Sequence, residues 1–162
     1  MAKNVNWETV ALRRAAFLIE EACSLDPTYD QTVSSALRVI SNWATVRTNG
    51  ASGFIKWHNR RLSKAAWELY FRSSDEEWER GTINEHQEPI SQVWQWIIEN
   101  KKSVAPRDIL DRMEKWPMIT ITKEEDAAIS HSGRRFKGRP EERHLLINIG
   151  DAGPPKRRGT KN

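Results

Sequence analysis

The chain has 162 residues, of which 30% are charged, and a formal net charge of +4. This length predicts one soluble domain, residues 1–150, followed by a disordered basic tail, residues 151–162. The single cysteine, Cys23, excludes an intrachain disulfide, and the lack of an apolar run of roughly 18–20 residues excludes a membrane-spanning helix. Without a signal peptide at the N-terminus, these features predict a cytoplasmic protein with no membrane partner.

The positive charge is concentrated near the C-terminus. Residues 1–80 have a balance of +1 and residues 81–128 a balance of −3, whereas residues 129–162 carry nine Lys/Arg and three Asp/Glu. The net charge of this last fifth of the chain is therefore +6. Such a local excess predicts an anionic partner for the C-terminal part of the protein.

Apolar residues at three- and four-residue spacing predict two amphipathic helices at the start of the chain. The first runs from about Asn6 to Ser24 and ends before Pro27, because proline disfavours helix in the residue that precedes it. The second begins after the cap Asp30 and ends near Gly50. The short link between them predicts an antiparallel hairpin.

Further helical segments follow in the middle of the chain. One is predicted to begin near Asn59, and a short one begins after Ser74, which has capping-box spacing with Glu77. Pro89 suits the first turn of the next helix, and Pro106 opens another.

The pattern changes towards the C-terminus. Residues 118–122 alternate and are β-branched, which predicts a strand, and Thr122 with Glu125 forms a second capping box that begins a short helix. Residues 144–149 predict a strand that pairs with 118–122, or alternatively a last helix opened by Pro140; we favour the strand. The predicted fold class is mainly α, a compact bundle of five or six helices with at most a two-stranded β element near the C-terminus.

The clearest functional signal is a run of cations between two glycines and beyond, which suits the phosphates of a nucleic acid. An aromatic ring among these charges is able to stack on a base. The predicted nucleic-acid-binding residues of this segment are Arg134, Arg135, Phe136, Lys137, Arg139 and Arg143, continued by Lys156, Arg157, Arg158 and Lys161. The alternatives are an acidic protein surface as partner, or a solvated tail that only aids solubility.

A smaller basic-aromatic patch is formed by Trp57, Arg60 and Arg61. A tryptophan beside two arginines is suited to base stacking and phosphate contact, so these residues are also candidate nucleic-acid ligands. The alternative interpretation is a helix N-terminus that carries a half-buried ring.

Glu85 and His86 are adjacent in a predicted loop. A carboxylate beside an imidazole is able to bind a divalent metal such as Mg²⁺ or to act as a general base, so both residues are candidate catalytic and metal-binding groups. Alternatively, Glu85 is an acidic residue favoured near a helix N-terminus and His86 is a surface residue. The pair resembles the Asp-His dipeptide of HNH-type nucleases, and this resemblance implies metal-dependent cleavage. In that family the dipeptide is followed by a strand and by a helix that carries Asn and His. In this chain the predicted helix follows at once and carries Gln92 and Gln95 instead.

Arg139 and His144 are separated by four residues. This spacing resembles the catalytic signature of HEPN ribonucleases, in which Arg and His at a helix start cleave RNA without metal. The resemblance implies that His144 is a catalytic residue. The chain departs from the family pattern at Pro140, where a polar residue is usual, and a strand at 144–149 would be incompatible with that fold.

Together these features predict a nucleic-acid-binding protein of the bacterial or phage cytoplasm, with nuclease activity left open. The alternative is a non-enzymatic adaptor or inhibitor that binds another protein through a Trp- and Arg-rich surface, because both residue types are enriched at interface hot spots and the chain has eight tryptophans. No Walker-type glycine loop, dinucleotide fingerprint or Cys/His zinc spacing is present, which argues against a nucleotide-dependent or zinc-binding protein. The choice between DNA and RNA stays open.

Overall fold

The computed structural model describes residues 6–49, 57, 59–133, 140–143, 147 and 149–151. The helices in these ranges are α1 (Trp7–Ala22), α2 (Gln31–Asn49), α3 (Lys64–Arg72), α4 (Asp75–Gly81), α5 (Ile90–Asn100), α6 (Pro106–Lys115), α7 (Lys123–His131) and α8 (Pro140–Arg143). The strands are β1 (Arg61–Ser63), β2 (Thr82–Glu85), β3 (Ile119–Thr122) and β4 (Ile149–Asp151). No helix in this part of the chain is long and apolar enough to cross a bilayer.

The prediction of a mainly helical fold is confirmed, but the described residues contain more elements than the sequence predicted. Eight helices are present where five or six were expected, and four strands form one sheet where at most two were expected. The helix that the favoured interpretation of the sequence did not include is short, since α8 has four residues. Short helices bury few apolar residues and therefore leave little periodic signal in the sequence.

The larger hydrophobic core lies between α1, α2, α5 and α6. α1 contributes Ala11, Ala15, Leu18 and Ala22, which share one face and are fully buried. Three of these four side chains are small, which allows the neighbouring helices to approach closely. α1 begins after Asn6 because its Oδ1 accepts hydrogen bonds from two backbone amides of the first turn.

The four strands are arranged in the order β2-β3-β1-β4. β1 runs parallel to β3, with Leu62 opposite Thr120, whereas β2 runs antiparallel to β3, with Ile83 opposite Ile121. Two smaller cores pack against the sheet. One consists of Ile119, Ile121, Ile129 and Ile147 with the partly buried Ile83, and the other contains Trp57, Leu62, Ala66 and Trp78.

The third helix begins later than predicted. Asn59, expected near the helix start, is fully buried and its Nδ2 donates to Met118 O at 3.3 Å and to Thr120 Oγ1 at 3.2 Å. These contacts tie the chain to β3, and a short strand follows instead of a helix. α3 then begins at Lys64, because Ser63 Oγ accepts a hydrogen bond from an amide of the first turn.

The C-terminal strand pairs differently from the prediction. We expected residues 144–149 to pair with 118–122, but β4 begins at Ile149 and runs antiparallel to β1. β3 already has β1 and β2 on its two sides, so neither of its edges is open to another strand. Residues 144–146 and 148, and the predicted tail from residue 152 onward, lie outside the described residues.

Both predicted capping boxes are confirmed. Ser74 Oγ accepts a hydrogen bond from the backbone amide of Glu77, whose carboxylate accepts one from the amide of Ser74. Thr122 and Glu125 form the same reciprocal pair at the start of α7. Pro140 also opens a helix, as in the alternative interpretation of the C-terminal part, but α8 ends at Arg143.

Candidate functional site

The candidate site lies at the link between β2 and α5. We call residues 85–88, the last residue of β2 and the three that follow it, the junction turn. Its side chains contact three other elements: Ser41 of α2, Arg112 of α6 and Arg143 of α8. The junction turn therefore joins the helical core, the sheet and the C-terminal part of the chain.

Arg143 is buried beneath the junction turn. Its side chain is 1% exposed, and its Nη2 donates to Glu85 Oε1 at 2.6 Å. Its Nη1 donates to the carbonyl oxygens of His86 and Gln87 at 2.7 and 2.5 Å. A buried guanidinium is tolerated only when a charge and several acceptors compensate it, and here one carboxylate and two carbonyls do so. The ion pair therefore fixes α8 to the end of β2.

His86 is held in its neutral form. Its Nδ1 lies 3.0 Å from Ser41 Oγ, within hydrogen-bonding distance. Burial lowers the pKa of His86 to about 4, and the nearby positive charges of Arg38 and Arg143 act in the same direction. At neutral pH the imidazole is therefore uncharged.

The other two residues of the junction turn are also bound. Gln87 is buried and its Nε2 donates to Pro117 O at 2.6 Å. The carboxylate of Glu88, which is 7% exposed, accepts two hydrogen bonds from Arg112, one of them from Nε at 3.0 Å. This bidentate geometry orients both side chains and connects the junction turn to α6.

The structure brings Glu85 and His86 together with arginines rather than with further metal ligands. Among the described residues, no three His, Cys, Asp or Glu side chains are grouped so as to hold a metal ion. The Glu85 carboxylate is paired with Arg143, and a histidine with a pKa of about 4 is a weak general base near neutral pH. In this conformation the junction turn connects chain segments, and the catalytic and metal-binding roles of Glu85 and His86 stay predictions.

The residues of the smaller basic-aromatic patch are placed differently from one another. The Trp57 ring is 7% exposed, and its centroid lies 4.4 Å from that of Trp78 and 6.4 Å from that of Tyr70. It belongs to the aromatic core, so its faces are covered in this structure. Arg60 is exposed and Arg61 is partly exposed, and neither forms an ion pair with a residue that the structure describes.

Most of the predicted C-terminal site residues lie outside the part of the chain that the structure describes. Arg134, Arg135, Phe136, Lys137, Arg139 and His144 lie outside the described residues, as do Lys156, Arg157, Arg158 and Lys161. Of the predicted nucleic-acid ligands in this segment only Arg143 is described, and its guanidinium is occupied by the junction turn.

A cleft that was not predicted from the sequence lies beside the junction turn. It has a volume of about 600 Å³ and lies between α5, the C-terminal end of α6 and α8. Trp96 and Trp116 contribute aromatic surface, and Arg112 lies over the Trp96 ring, 4.5 Å from its centroid. The helical spacing of Gln92, Trp96 and Glu99 places them along one face of α5, and a polar stripe that contains a tryptophan is the signal by which the sequence could have indicated this surface.

No protein-family profile, curated protein or solved structure matches this chain. The functional argument therefore depends on the residues, charges and contacts described above.

Proposed function

We propose that the protein binds nucleic acid through its C-terminal basic segment, residues 134–161. The observation that carries this proposal is the charge distribution: residues 129–162 have a net charge of +6, whereas the rest of the chain is slightly negative. Clustered cations bind phosphates with a gain in free energy from counterion release, and arginine adds bidentate hydrogen bonds.

Two contacts of the folded domain support this proposal. Arg143 fixes the chain at the junction turn, and β4 adds residues 149–151 to the edge of the sheet. Four cations of the basic segment lie just before Pro140 in the sequence. They are therefore close in sequence to a part of the chain that is anchored to the fold. Anchoring near a binding segment reduces the conformational entropy that binding has to overcome.

The pairing of β4 with β1 supplies a further supporting observation. In this register Arg61 of β1 lies opposite Asp151 of β4. The C-terminal strand therefore forms the sheet edge next to Arg61 and its neighbour Arg60. Residues that are about ninety positions apart in sequence are thus neighbours in the sheet. We propose that these two arginines extend the phosphate-binding surface of the basic segment.

The proposal is limited to binding. The Glu85 carboxylate and the His86 imidazole have intramolecular partners, and the lowered pKa of His86, about 4, makes its imidazole a weak base. These contacts favour a protein that holds nucleic acid over one that cleaves it at the junction turn.

The test compares two variants that each lose four cations. The basic-segment variant replaces Arg134, Arg135, Lys137 and Arg139 by Ala. The control variant replaces four exposed cations from other surfaces, Arg13, Arg14, Lys102 and Lys123, also by Ala. Both have the same net charge, so a difference between them reports the position of the charges.

Binding to fluorescein-labelled single- and double-stranded DNA and RNA is measured by anisotropy. We expect the basic-segment variant to lose at least about tenfold in affinity, because each lost phosphate contact removes a favourable electrostatic interaction. The control variant should keep an affinity close to that of the wild type. Equal affinities of the two variants, with unchanged circular dichroism, would refute the proposal.

A further inference from the structure

The cleft between α5, α6 and α8 has a charge opposite to that of the protein as a whole. Its lining includes four glutamates, Glu88, Glu99, Glu141 and Glu142, and two cations, Arg112 and Lys115, so its net charge is −2. The whole chain has a net charge of +4. This contrast separates the cleft from the proposed nucleic-acid surface, because a negative lining disfavours phosphates.

The cleft already binds a cationic side chain of the chain itself. The guanidinium of Arg112 lies over the ring of Trp96, 4.5 Å from the centroid, and donates two hydrogen bonds to the buried carboxylate of Glu88. The same combination recurs in part at Trp116, where the ammonium of Lys115 lies 5.4 Å from the ring centroid. Stacking on tryptophan together with carboxylate pairing is an established way of recognising arginine.

Two further carboxylates of the cleft are available for the same chemistry. Glu99 and Glu141 are exposed, and neither forms an ion pair within the described ranges. Glu99 accepts one hydrogen bond from Gln95 Nε2 at 3.1 Å, which orients its carboxylate on the α5 wall. Glu141 lies on the opposite wall, on α8. The two carboxylates line the same cleft.

We propose that this cleft binds an arginine-containing basic peptide segment of another protein. A volume of about 600 Å³ is within the range of about 300–1,000 Å³ that is usual for ligand sites. It accommodates one or two side chains of an extended peptide, whose guanidinium groups pair with Glu99 and Glu141 and stack against the indole of Trp116. This cleft shares α8 with the basic segment but includes none of the four cations that the nucleic-acid test replaces, so the inference does not depend on the proposed function.

The probe is a short fluorescein-labelled peptide in which arginine alternates with serine. The matched neutral probe replaces each arginine by citrulline, which keeps the shape of the side chain and removes its charge. Anisotropy is measured at about 0.15 M salt, where the Debye length of about 8 Å screens distant charges. The protein is treated with nuclease and repurified first, because residual nucleic acid would itself bind the basic peptide.

The test variant is Glu99→Gln with Glu141→Gln, and the control variant is Glu20→Gln with Glu21→Gln, at two exposed carboxylates of α1. These exchanges remove two charges each at nearly constant volume. We expect the arginine peptide to bind the wild type and the control with similar affinity. The cleft variant should bind at least about tenfold more weakly, because two charge-assisted hydrogen bonds are lost.

Three outcomes would overturn the proposal. The wild type fails to bind the arginine peptide, the citrulline peptide binds as tightly as the arginine peptide, or the control variant loses as much affinity as the cleft variant. The second outcome would show that the charge of the arginine side chains is not recognised, and the third would indicate unspecific charge attraction. Failure of the nucleic-acid proposal would leave these measurements unaffected, because the variants share no residue.

Discussion

Replacing Arg143 by methionine tests whether this buried arginine holds the C-terminal part of the chain to the domain. Methionine retains much of the apolar volume of the side chain and removes its charge and its donors. The exchange leaves the Glu85 carboxylate without its cation and two carbonyl oxygens without their donor. Removing one partner of a buried ion pair typically costs about 3–5 kcal/mol. Because the Glu85 side chain is 16% exposed and can be partly hydrated, we expect the lower end of this range, about 3 kcal/mol.

The assay is urea unfolding followed by tryptophan fluorescence and far-UV circular dichroism. With a slope of about 1–3 kcal/mol per molar urea, the expected loss shifts the midpoint by about 1–3 M. Arg107→Met is the control, because Arg107 forms an exposed ion pair with Glu8 at 2.6 Å, and solvent screens such a pair. The double variant Glu85→Gln/Arg143→Met should be more stable than Arg143→Met, since it also removes the negative charge that Arg143 compensates. A loss under about 1 kcal/mol, the size typical of a surface pair, would refute the reasoning.

Two further predictions concern His86 and the cap of α7. The pKa of His86 in the folded state, about 4, is below the unfolded value of 6.5, so the unfolded state takes up the proton first as the pH falls, and stability is lost below about pH 6.5. Between about pH 7 and pH 5 the free energy of unfolding of the wild type should fall by about 2 kcal/mol through this residue. The loss should be absent in His86→Gln and retained in His131→Gln, the control at an exposed position. Equal pH dependence in all three proteins would contradict the prediction. Thr122→Ala should reduce the free energy of unfolding by about 1 kcal/mol and Thr122→Ser by much less, because the Thr122 hydroxyl accepts a hydrogen bond from the amide of Glu125 at 3.2 Å. Equal losses in these two variants, measured by urea unfolding, would argue against the cap.

Local features of the fold were predictable because their partners lie within a few residues along the chain. Ser74 and Glu77, like Thr122 and Glu125, are three positions apart, and both pairs form the expected capping boxes. The amphipathic stripe of α1 was likewise visible in the sequence, because its buried residues repeat within one helix.

The contacts that define the candidate site are not local. Arg143 and Glu85 are 58 positions apart, and Arg143 was predicted to be a nucleic-acid ligand because arginine is seldom fully buried without a partner. Asn59 contacts residues 118 and 120, so the strand that follows it depends on β3 and not on the surrounding sequence. Trp57 shows the same limit, since its position beside two arginines suggested exposure but Trp78 covers it.

The cleft also depends on segments that are distant in sequence. Its walls come from α5, the end of α6 and α8, and none of these elements carries a recognisable motif by itself. The structure places Trp96 partly exposed at this cleft.

The salt dependence of nucleic-acid binding tests the central proposal most directly. For duplex DNA the logarithm of the binding constant falls with the logarithm of the salt concentration with a slope of about −0.9 for each neutralised phosphate. If the basic segment contacts the phosphates, the basic-segment variant should have a slope shallower by up to about 3.6 than the wild type, one contact being lost for each exchanged cation. The control variant, which has the same net charge, should keep the wild-type slope. An unchanged slope in the basic-segment variant, or an equal change in both variants, would contradict the proposal that this segment binds nucleic acid.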